Sequence, residues 1–252
     1  MTLGEPAPDL SSAAAEQLYG TLAGLFRGGG PVPNSVLGPV LDVGAGSGRL
    51  AAELARRGVP LLLLDLTDAR QAGAPNAPFL RGDASRLPVR SGSCSGVHLA
   101  RVLLHLADWR AAAAECVRVL RPAGVLALSL GWRLYDGPLR ELVGAVHDAA
   151  EARGLRLEPV RADLDGPEEL DSAFLRLGLG SPELVEVSGA VAVTPRQAVA
   201  DAVHTTHRWL PGQDLGALPD IGAAVLAGSG LDADQPIPQV RTVSYRVYRR
   251  ER

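Results

Sequence analysis

The chain of 252 residues has few aromatic side chains, only two cysteines and no lysine. Two cysteines are too few for a disulfide framework or a cysteine-rich zinc site. Because all 25 residues of the lysine and arginine class are arginine, a lysine general base or Schiff base is excluded. No apolar run approaches the roughly 18 to 20 residues of a membrane span. We therefore expect a soluble protein that holds no metal.

The charge balance also narrows the range of partners. The formal net charge is −3, which argues against an extended contact with nucleic acid or an anionic membrane. The first ten residues are polar and contain proline, so they do not resemble a secretory leader. These features predict a cytoplasmic protein that acts on small molecules, with no nucleic-acid or membrane partner.

What is abundant is glycine, and its most informative cluster lies between Val40 and Leu50. An apolar strand there runs into a turn with Gly44, Gly46 and Gly48, and a helix is predicted over 50–57. Glycine suits positive φ angles and close approach to a ligand, and the N–H groups of the next helix can bind a polar or anionic group. The pattern indicates a cofactor-binding loop.

Further segments follow the glycine loop in an order that is typical of a parallel α/β sheet. The run 61–64 reads as a buried strand that ends at Asp65, a carboxylate that can accept hydrogen bonds from two hydroxyl groups. The next segments are a short strand and turn over 79–84, a strand and turn over 95–106, and a helix, turn and strand over 117–128.

The G-x-G-x-G spacing, with Asp42 just before it, and the order of these segments resemble the class I S-adenosylmethionine (SAM) methyltransferases over residues 36 to 130. The resemblance implies a doubly wound, Rossmann-like α/β fold with a seven-stranded sheet, an antiparallel last strand, an N-terminal helical lid and a helical insertion between strands six and seven. It also implies methyl transfer from SAM to a small-molecule acceptor, with S-adenosylhomocysteine (SAH) as product. Relatives of this kind include quinone-pathway and natural-product tailoring enzymes.

The same resemblance implies which residues hold the cofactor. The glycines would cradle the methionine part, Asp65 would hold the ribose, Asp83 would contact the adenine amino group, and Asp42 would lie under the loop and anchor it. The full predicted cofactor set is Asp42, Gly44, Ala45, Gly46, Gly48, Asp65, Leu66, Gly82, Asp83, Ala84, Ala100 and Arg101.

Histidine is the side chain best suited to remove an acceptor proton near neutral pH. His105 follows the predicted fourth strand, where the family's substrate approaches, so it is the candidate catalytic residue, with packing or hydrogen bonding as the alternative. His98 lies within that strand and is expected to be structural. His147 is assigned to the surface.

Candidate acceptor-binding residues lie outside the motif segments. His204 and His207 are three residues apart and would share one helix face, yet two ligands are too few for a metal site. Aromatic side chains near the expected pocket rim complete the set, with core packing as their alternative: Tyr19, Trp132 and Tyr135.

We expect residues 1–35 to form the lid, with an amphipathic helix over 11–27, and residues 36–252 to form the methyltransferase domain. A substrate cap is expected at about 194–238. Helices are predicted over 138–153 and 167–177, and strands over 184–193 and 240–249.

Two departures from the family and three alternatives stay open. Cys94-Ser95 stands where many relatives have Phe-Asp, and Leu104 where many have histidine. A nicotinamide-dependent oxidoreductase shares the fold, although Arg49 follows the last glycine. A nucleic-acid methyltransferase is disfavoured by the charge. A protein that binds SAM without transferring methyl, such as a cyclase, a decarboxylase or a regulatory module, is the third alternative. The expected oligomeric state is a monomer or a homodimer.

Overall fold

The computed structural model describes residues 10–27, 38–71, 73–131, 135–157, 164–204 and 212–251. Trp132 and His207, two of the predicted acceptor-binding residues, lie outside these ranges.

Strands and helices follow one another along the first half of the chain much as the sequence predicts, except that no helix is described between the strands Leu61–Asp65 and Phe79–Arg81. The strands are β1 Val40–Val43, β2 Leu61–Asp65, β3 Phe79–Arg81, β4 Cys94–Ala100, β5 Leu120–Ser129, β6 Glu183–Val193 and β7 Ile237–Arg249. The helices are α1 Ser12–Arg27, α2 Arg49–Arg56, α3 Trp109–Val119, α4 Gly137–Glu151, α5 Pro167–Arg176, α6 Pro195–His204 and α7 Leu218–Gly228, and short 3₁₀ helices cover Ala84–Arg86 and Leu103–His105.

The seven strands form one sheet in the order β3-β2-β1-β4-β5-β7-β6. The first five strands pair in parallel, whereas β7 runs antiparallel to β5, with Leu126 opposite Tyr248. The doubly wound sheet with an antiparallel last strand is therefore confirmed. Helices α6 and α7 follow β6 and precede β7 in the chain, where a helical insertion is predicted.

The fifth strand differs from its predicted form. The sequence predicts a turn between the helix and this strand, but α3 ends at Val119 and β5 begins at once with Leu120. The turn becomes a bulge inside the strand, because β4 pairs Cys94 with Leu120 but Gly96 with Val125. Ala123 absorbs the extra length with a φ of +61°.

The chain divides into two compact units. The larger unit comprises Ala15–Gly131, Val160–Val187 and Val243–Arg252, and the smaller unit comprises Met1–Ala14, Trp132–Pro159 and Ser188–Thr242. Both β6 and β7 pass from one unit into the other along the chain.

The larger unit has its core between the sheet and helices α3 and α5. Leu99 and Leu126 of the sheet pack in one cluster with Trp109 of α3 and Phe174 of α5, all with almost no exposed surface. On α1, Phe26 approaches β4 so closely that a Cβ atom at Gly96 would lie 2.6 Å from its Cδ1 atom. Glycine at position 96 therefore allows this helix to pack against the sheet.

The smaller unit has a separate core made by three helices. Leu142 and Val146 of α4, Val199 and Val203 of α6, and Ile221 of α7 are buried together. Among the helices that the structure describes, none combines the length and the apolar character needed to cross a membrane.

Candidate functional site

The glycine loop leaves the end of β1 and turns sharply into α2. Its first two amides, those of Gly44 and Ala45, donate to the carbonyl oxygen of Leu64 at 2.8 and 3.0 Å. Gly44, Gly46 and Gly48 have φ angles of +72°, +52° and +77°, which side-chain-bearing residues adopt only with strain. The sequence prediction that these positions need glycine is therefore correct for the loop's backbone.

The three glycines differ in what surrounds them. A Cβ atom at Gly44 would lie 2.3 Å from Cγ2 of Val102, and one at Gly48 would lie 2.8 Å from Cβ of Ala74. At Gly46 the nearest atom would be the Gly44 carbonyl oxygen, 3.9 Å away. The outer side of Gly46 is therefore open, so a ligand can approach the backbone there.

Asp65 connects the end of β2 to this loop. Its Oδ2 atom accepts a hydrogen bond from the Gly46 amide at 2.8 Å, and its carbonyl oxygen accepts one from Gly82 at 2.9 Å. The sequence-based expectation assigns loop anchoring to Asp42, whereas the hydrogen bond to the loop comes from Asp65. Leu66, the next residue, exposes 59% of its surface although it is apolar.

Asp83 lies at the end of β3, beside Gly82 and Ala84. Its Oδ1 atom accepts a hydrogen bond from the Ser85 amide at 2.8 Å, and this bond holds the pKa of the carboxyl below its usual range. The carboxylate is exposed and ionised at neutral pH. It lines a cleft of about 640 Å³ together with Arg81, Gly82, Ser85, Arg86, Pro88, Asp108 and Ala111.

The end of β4 carries Ala100 and Arg101. Arg101 has a φ of +61°, an uncommon conformation for a long side chain, and its amide donates to Ser129 at 2.8 Å. His105 follows on an exposed 3₁₀ turn. The carboxyl ends of β1, β2, β3 and β4 therefore bring the predicted cofactor residues to one edge of the sheet.

Tyr19 is half-buried on α1, in the larger unit. The guanidinium carbon of Arg57 lies 5.6 Å from the centre of its ring, a distance that permits a cation–π contact. Arg57 also forms ion pairs with Glu16 of α1 and with Glu53, the latter at 2.8 Å. These contacts attach α1 to α2, the helix that begins at the glycine loop.

A buried polar network, which the sequence analysis does not predict, crosses the sheet beneath the glycine loop. The Oδ1 atom of Asp42 lies 2.7 Å from Nδ1 of His98, and Nε2 of His98 lies 3.0 Å from the hydroxyl oxygen of Tyr245. All three residues are at least 97% buried, since they expose 3%, 1% and 2%. Burial and the Asp42 charge raise the pKa of the Tyr245 phenol. A histidine between Val97 and Leu99 is the one sequence signal of this network.

A second buried polar cluster lies in the smaller unit. Tyr135 donates its hydroxyl proton to Asp201 of α6, and the Arg241 guanidinium lies 3.9 Å from the same carboxylate oxygen and 5.0 Å from the centre of the Tyr135 ring. Burial and Asp201 raise the pKa of the Tyr135 phenol. His204 ends the same helix and is exposed.

His147 lies on α4 and is half-buried, so the sequence assignment to the surface is correct only in part. Within the described ranges, no group of three or more histidine, cysteine, aspartate or glutamate residues could hold a metal ion.

The comparison with protein families agrees with this geometry. Residues 41–128 match a family model described as a methyltransferase domain. This segment contains the glycine loop, Asp65, Asp83 and the end of β4.

Curated relatives resemble the chain over part of their length. An uncharacterized methyltransferase of Mycobacterium tuberculosis is 35% identical over 133 residues, which are 51% of this chain and 52% of that protein. A demethylmenaquinone methyltransferase of Beutenbergia cavernae is 35% identical over 152 residues, which cover 54% and 62%. The chain thus spans about half to two thirds of the length of these relatives.

Solved structures share the fold. A structure described as a putative type II methyltransferase of Anaeromyxobacter dehalogenans superposes with a TM-score of 0.55 at 21% identity, over 98% of this chain and 97% of that one. At this identity the match supports the fold alone.

Proposed function

We propose that the chain is a class I methyltransferase, whose cofactor is SAM, and that it transfers a methyl group from SAM to a small-molecule acceptor. When bound, SAM supplies a methyl group on a positively charged sulfur, with neutral SAH as the product. The observation that carries the proposal is the glycine loop whose open Gly46 position adjoins the Asp65 carboxylate.

The residues present fit SAM. The Asp65 carboxylate can accept hydrogen bonds from the two ribose hydroxyls, and the exposed side chain of Leu66 offers an apolar surface to the adenine ring. The Asp83 carboxylate is an ionised acceptor for the adenine amino group. Backbone atoms of Ala45 and Gly46 would contact the amino-acid part, together with the rest of the predicted set: Asp42, Gly44, Gly48, Gly82, Ala84, Ala100 and Arg101.

Methyl transfer is an in-line displacement, so the protein mainly has to align the acceptor atom, the methyl group and the sulfur. A hydroxyl or phenol acceptor also needs a base, and the exposed His105 after β4 is the candidate for that role. The acceptor would contact Tyr19, Tyr135 and His204, as well as Trp132 and His207. The relative named demethylmenaquinone methyltransferase supports a quinone-like acceptor, and a bacterial secondary metabolite is the other class.

We retain the remaining sequence predictions as part of this proposal. Residues 1–35 would act as a lid and the insertion at about 194–238 as a substrate cap. The enzyme would be a cytoplasmic monomer or homodimer that binds no nucleic acid and no membrane. The alternative of a SAM-binding protein without methyl transfer requires its own test.

The first experiment is calorimetric titration of the protein with SAH and, separately, with NADH. Micromolar binding of SAH and none of NADH is expected. The Asp65→Ala variant should lose SAH binding, while Asp220→Ala, which removes an exposed carboxylate from α7, should keep it. Full SAH affinity in a folded Asp65→Ala protein would contradict the cofactor site.

A second experiment separates a transferase from a SAM-binding protein. The protein is incubated with SAM and a panel of phenol, quinone and amine acceptors, and SAH release is followed. We expect release that depends on one acceptor class and falls in the His105→Ala variant if a proton must be removed. Unchanged SAM in the presence of every acceptor would favour the non-transferring alternative.

A further inference from the structure

The network of Asp42, His98 and Tyr245 places polar groups inside the sheet, where they can reduce the stability of the fold. Buried polar groups reduce stability unless they are hydrogen-bonded, and a buried carboxylate is costlier still. The neighbours of His98 along β4 are apolar and fully buried, as in an ordinary core strand. Such a network calls for an explanation beyond packing.

The donors and acceptors of the network are defined by its chemistry. A carboxylate only accepts hydrogen bonds, so Nδ1 of His98 carries a proton and donates it to Asp42. The Tyr245 hydroxyl, which keeps its proton because burial raises its pKa, is hydrogen-bonded to Nε2 at the other side of the ring. The chain of hydrogen bonds therefore runs from Tyr245 through His98 to Asp42.

Neighbouring side chains hold the imidazole in place. Phe26 of α1 packs edge-on against the ring, with 6.3 Å between ring centres, and the Tyr245 ring lies 5.6 Å from it. A ring that is oriented from both sides fixes the direction of its hydrogen bonds. As a result, the orientation of the Asp42 carboxylate is set by residues from three other elements.

Strand order indicates which part of the cofactor Asp42 faces. Asp83 and Asp65, the proposed adenine and ribose contacts, follow β3 and β2, and the next strands in the sheet are β1 and β4. A ligand that lies across these strand ends places its amino-acid part at β1. Asp42 lies on β1, two residues before Gly44, and one of its carboxylate oxygens is hydrogen-bonded to His98.

We propose that His98 and Tyr245 are positioning residues that hold the Asp42 carboxylate in one orientation toward the α-amino group of the cofactor's amino-acid part. The inference rests on the proposed function, since it uses the cofactor site described there. It adds two residues, on β4 and β7, that determine affinity for one portion of the ligand.

The test compares two ligands that differ in the amino-acid part. SAH carries it, whereas 5′-methylthioadenosine has the same adenosine but no α-amino group. In calorimetric titrations, Asp42→Asn and His98→Gln should weaken SAH binding by about 10- to 100-fold, the range for lost hydrogen bonds to a charged group. Tyr245→Phe, which keeps the ring, should weaken it by about 3- to 10-fold. Affinity for methylthioadenosine should change less than about twofold in each variant.

The matched control is Tyr248→Phe. Tyr248 is also a buried phenol of β7 whose hydroxyl donates to a carboxylate, that of Asp171 at 2.6 Å, but it is not in the network. This variant should bind both ligands as the unmodified protein does. Circular dichroism and thermal unfolding establish which variants fold, and the isosteric Tyr245→Phe protein keeps the test valid if His98→Gln unfolds.

Two results would overturn the inference. Equal losses for both ligands would show that the network acts on the fold as a whole, and unchanged SAH affinity in folded His98→Gln and Tyr245→Phe proteins would show that it does not act on the cofactor. Failure of the unmodified protein to bind SAH is distinct, because it would overturn the proposed function itself.

Discussion

One polar cluster in each unit brings together a carboxylate, a tyrosine and a basic side chain at low solvent exposure, and the two clusters differ in the type of basic side chain. In the smaller unit Asp201 faces Arg241, whose guanidinium is always protonated, so the pair is neutral overall. In the larger unit Asp42 is hydrogen-bonded to the imidazole of His98. Similar residue types thus form an arginine–aspartate pair in one unit and a histidine-linked network beside the glycine loop in the other.

Substitutions in the two units should also differ in whether they affect stability alone or both stability and SAH binding. If the larger unit holds the cofactor, changes at its glycine loop should alter both stability and SAH affinity. Changes in the buried cluster of the smaller unit should reduce stability while SAH affinity is preserved.

Two glycine substitutions, one in each unit, should give the largest difference in stability and SAH affinity. In the larger unit, Gly44→Ala adds a Cβ atom that would overlap Val102 at a φ of +72°, and we expect a loss of about 2–5 kcal/mol in unfolding free energy together with lost SAH binding. In the smaller unit, Gly189→Ala would bring a Cβ atom within 2.7 Å of Ala14 and Ser11. It should cost about 1–3 kcal/mol with SAH affinity unchanged. Urea denaturation measures the free energy of unfolding and calorimetry measures SAH affinity. Unchanged SAH affinity in Gly44→Ala would contradict the expected difference between the two units.

Removing the charge of Arg241 tests the neutral cluster directly. Arg241→Met leaves the Asp201 carboxylate, which is only 12% exposed, without its cationic neighbour, so we expect a loss of about 3 kcal/mol in the free energy of unfolding. SAH affinity should be the same as in the unmodified protein. A stability change below about 1 kcal/mol would mean that the pair, at 3.9 Å, contributes little.

A third carboxylate shows how much a partly exposed, hydrogen-bonded acidic side chain contributes to stability. Glu115 of α3 accepts hydrogen bonds from Arg118 at 2.6 and 2.8 Å and from the Leu87 amide at 2.7 Å. We expect Glu115→Gln to cost about 1–2 kcal/mol at pH 7, less than either buried cluster.

The pH dependence of that effect has a defined sign. The Arg118 guanidinium lowers the pKa of Glu115 in the folded protein, so its contribution is complete above the unfolded pKa of about 4.3. It is lost as the pH falls through the folded pKa. The stability difference between Glu115→Gln and the unmodified protein should therefore shrink below about pH 4, as measured by urea denaturation at several pH values.

The smallest expected signal is thiol reactivity, which reports on one unit only. Both cysteines of the chain, Cys94 and Cys116, are buried in the larger unit, and burial raises the pKa of the Cys116 thiol to about 12. A disulfide reagent at pH 8 should react slowly with the folded protein and rapidly in denaturant. In Arg241→Met the thiols should stay protected, and fast labelling there would mean that damage in the smaller unit spreads to the larger one.

Local sequence patterns were sufficient where the physics is local. Three positive φ angles within five residues require glycine, so the loop at Gly44, Gly46 and Gly48 is predictable without its surroundings. Apolar runs four to seven residues long likewise predict buried parallel strands, and β1, β2 and β4 form where expected. The predicted turn before β5 is a bulge inside the strand, because a bulge depends on the register with β4, which a single segment does not contain.

Long-range contacts had to come from the tertiary structure. Asp42 and His98 are 56 residues apart, and His98 and Tyr245 are 147 apart, so neither pair leaves a local pattern. In β7, alternation indicates a strand, but it does not say which face is buried. The structure buries Arg241 and exposes 69% of Val240, because Asp201 compensates the buried guanidinium.

The sequence by itself determined most of the strands and helices in the first half of the chain, the glycine loop, and the acidic residues that follow β2 and β3, because backbone torsion and short-range periodicity encode these features. Only the tertiary structure decided which carboxylate anchors the loop and which side chains orient Asp42. Those choices depend on how residues distant in sequence share one buried space, where each hydrogen-bond donor and acceptor must find a partner.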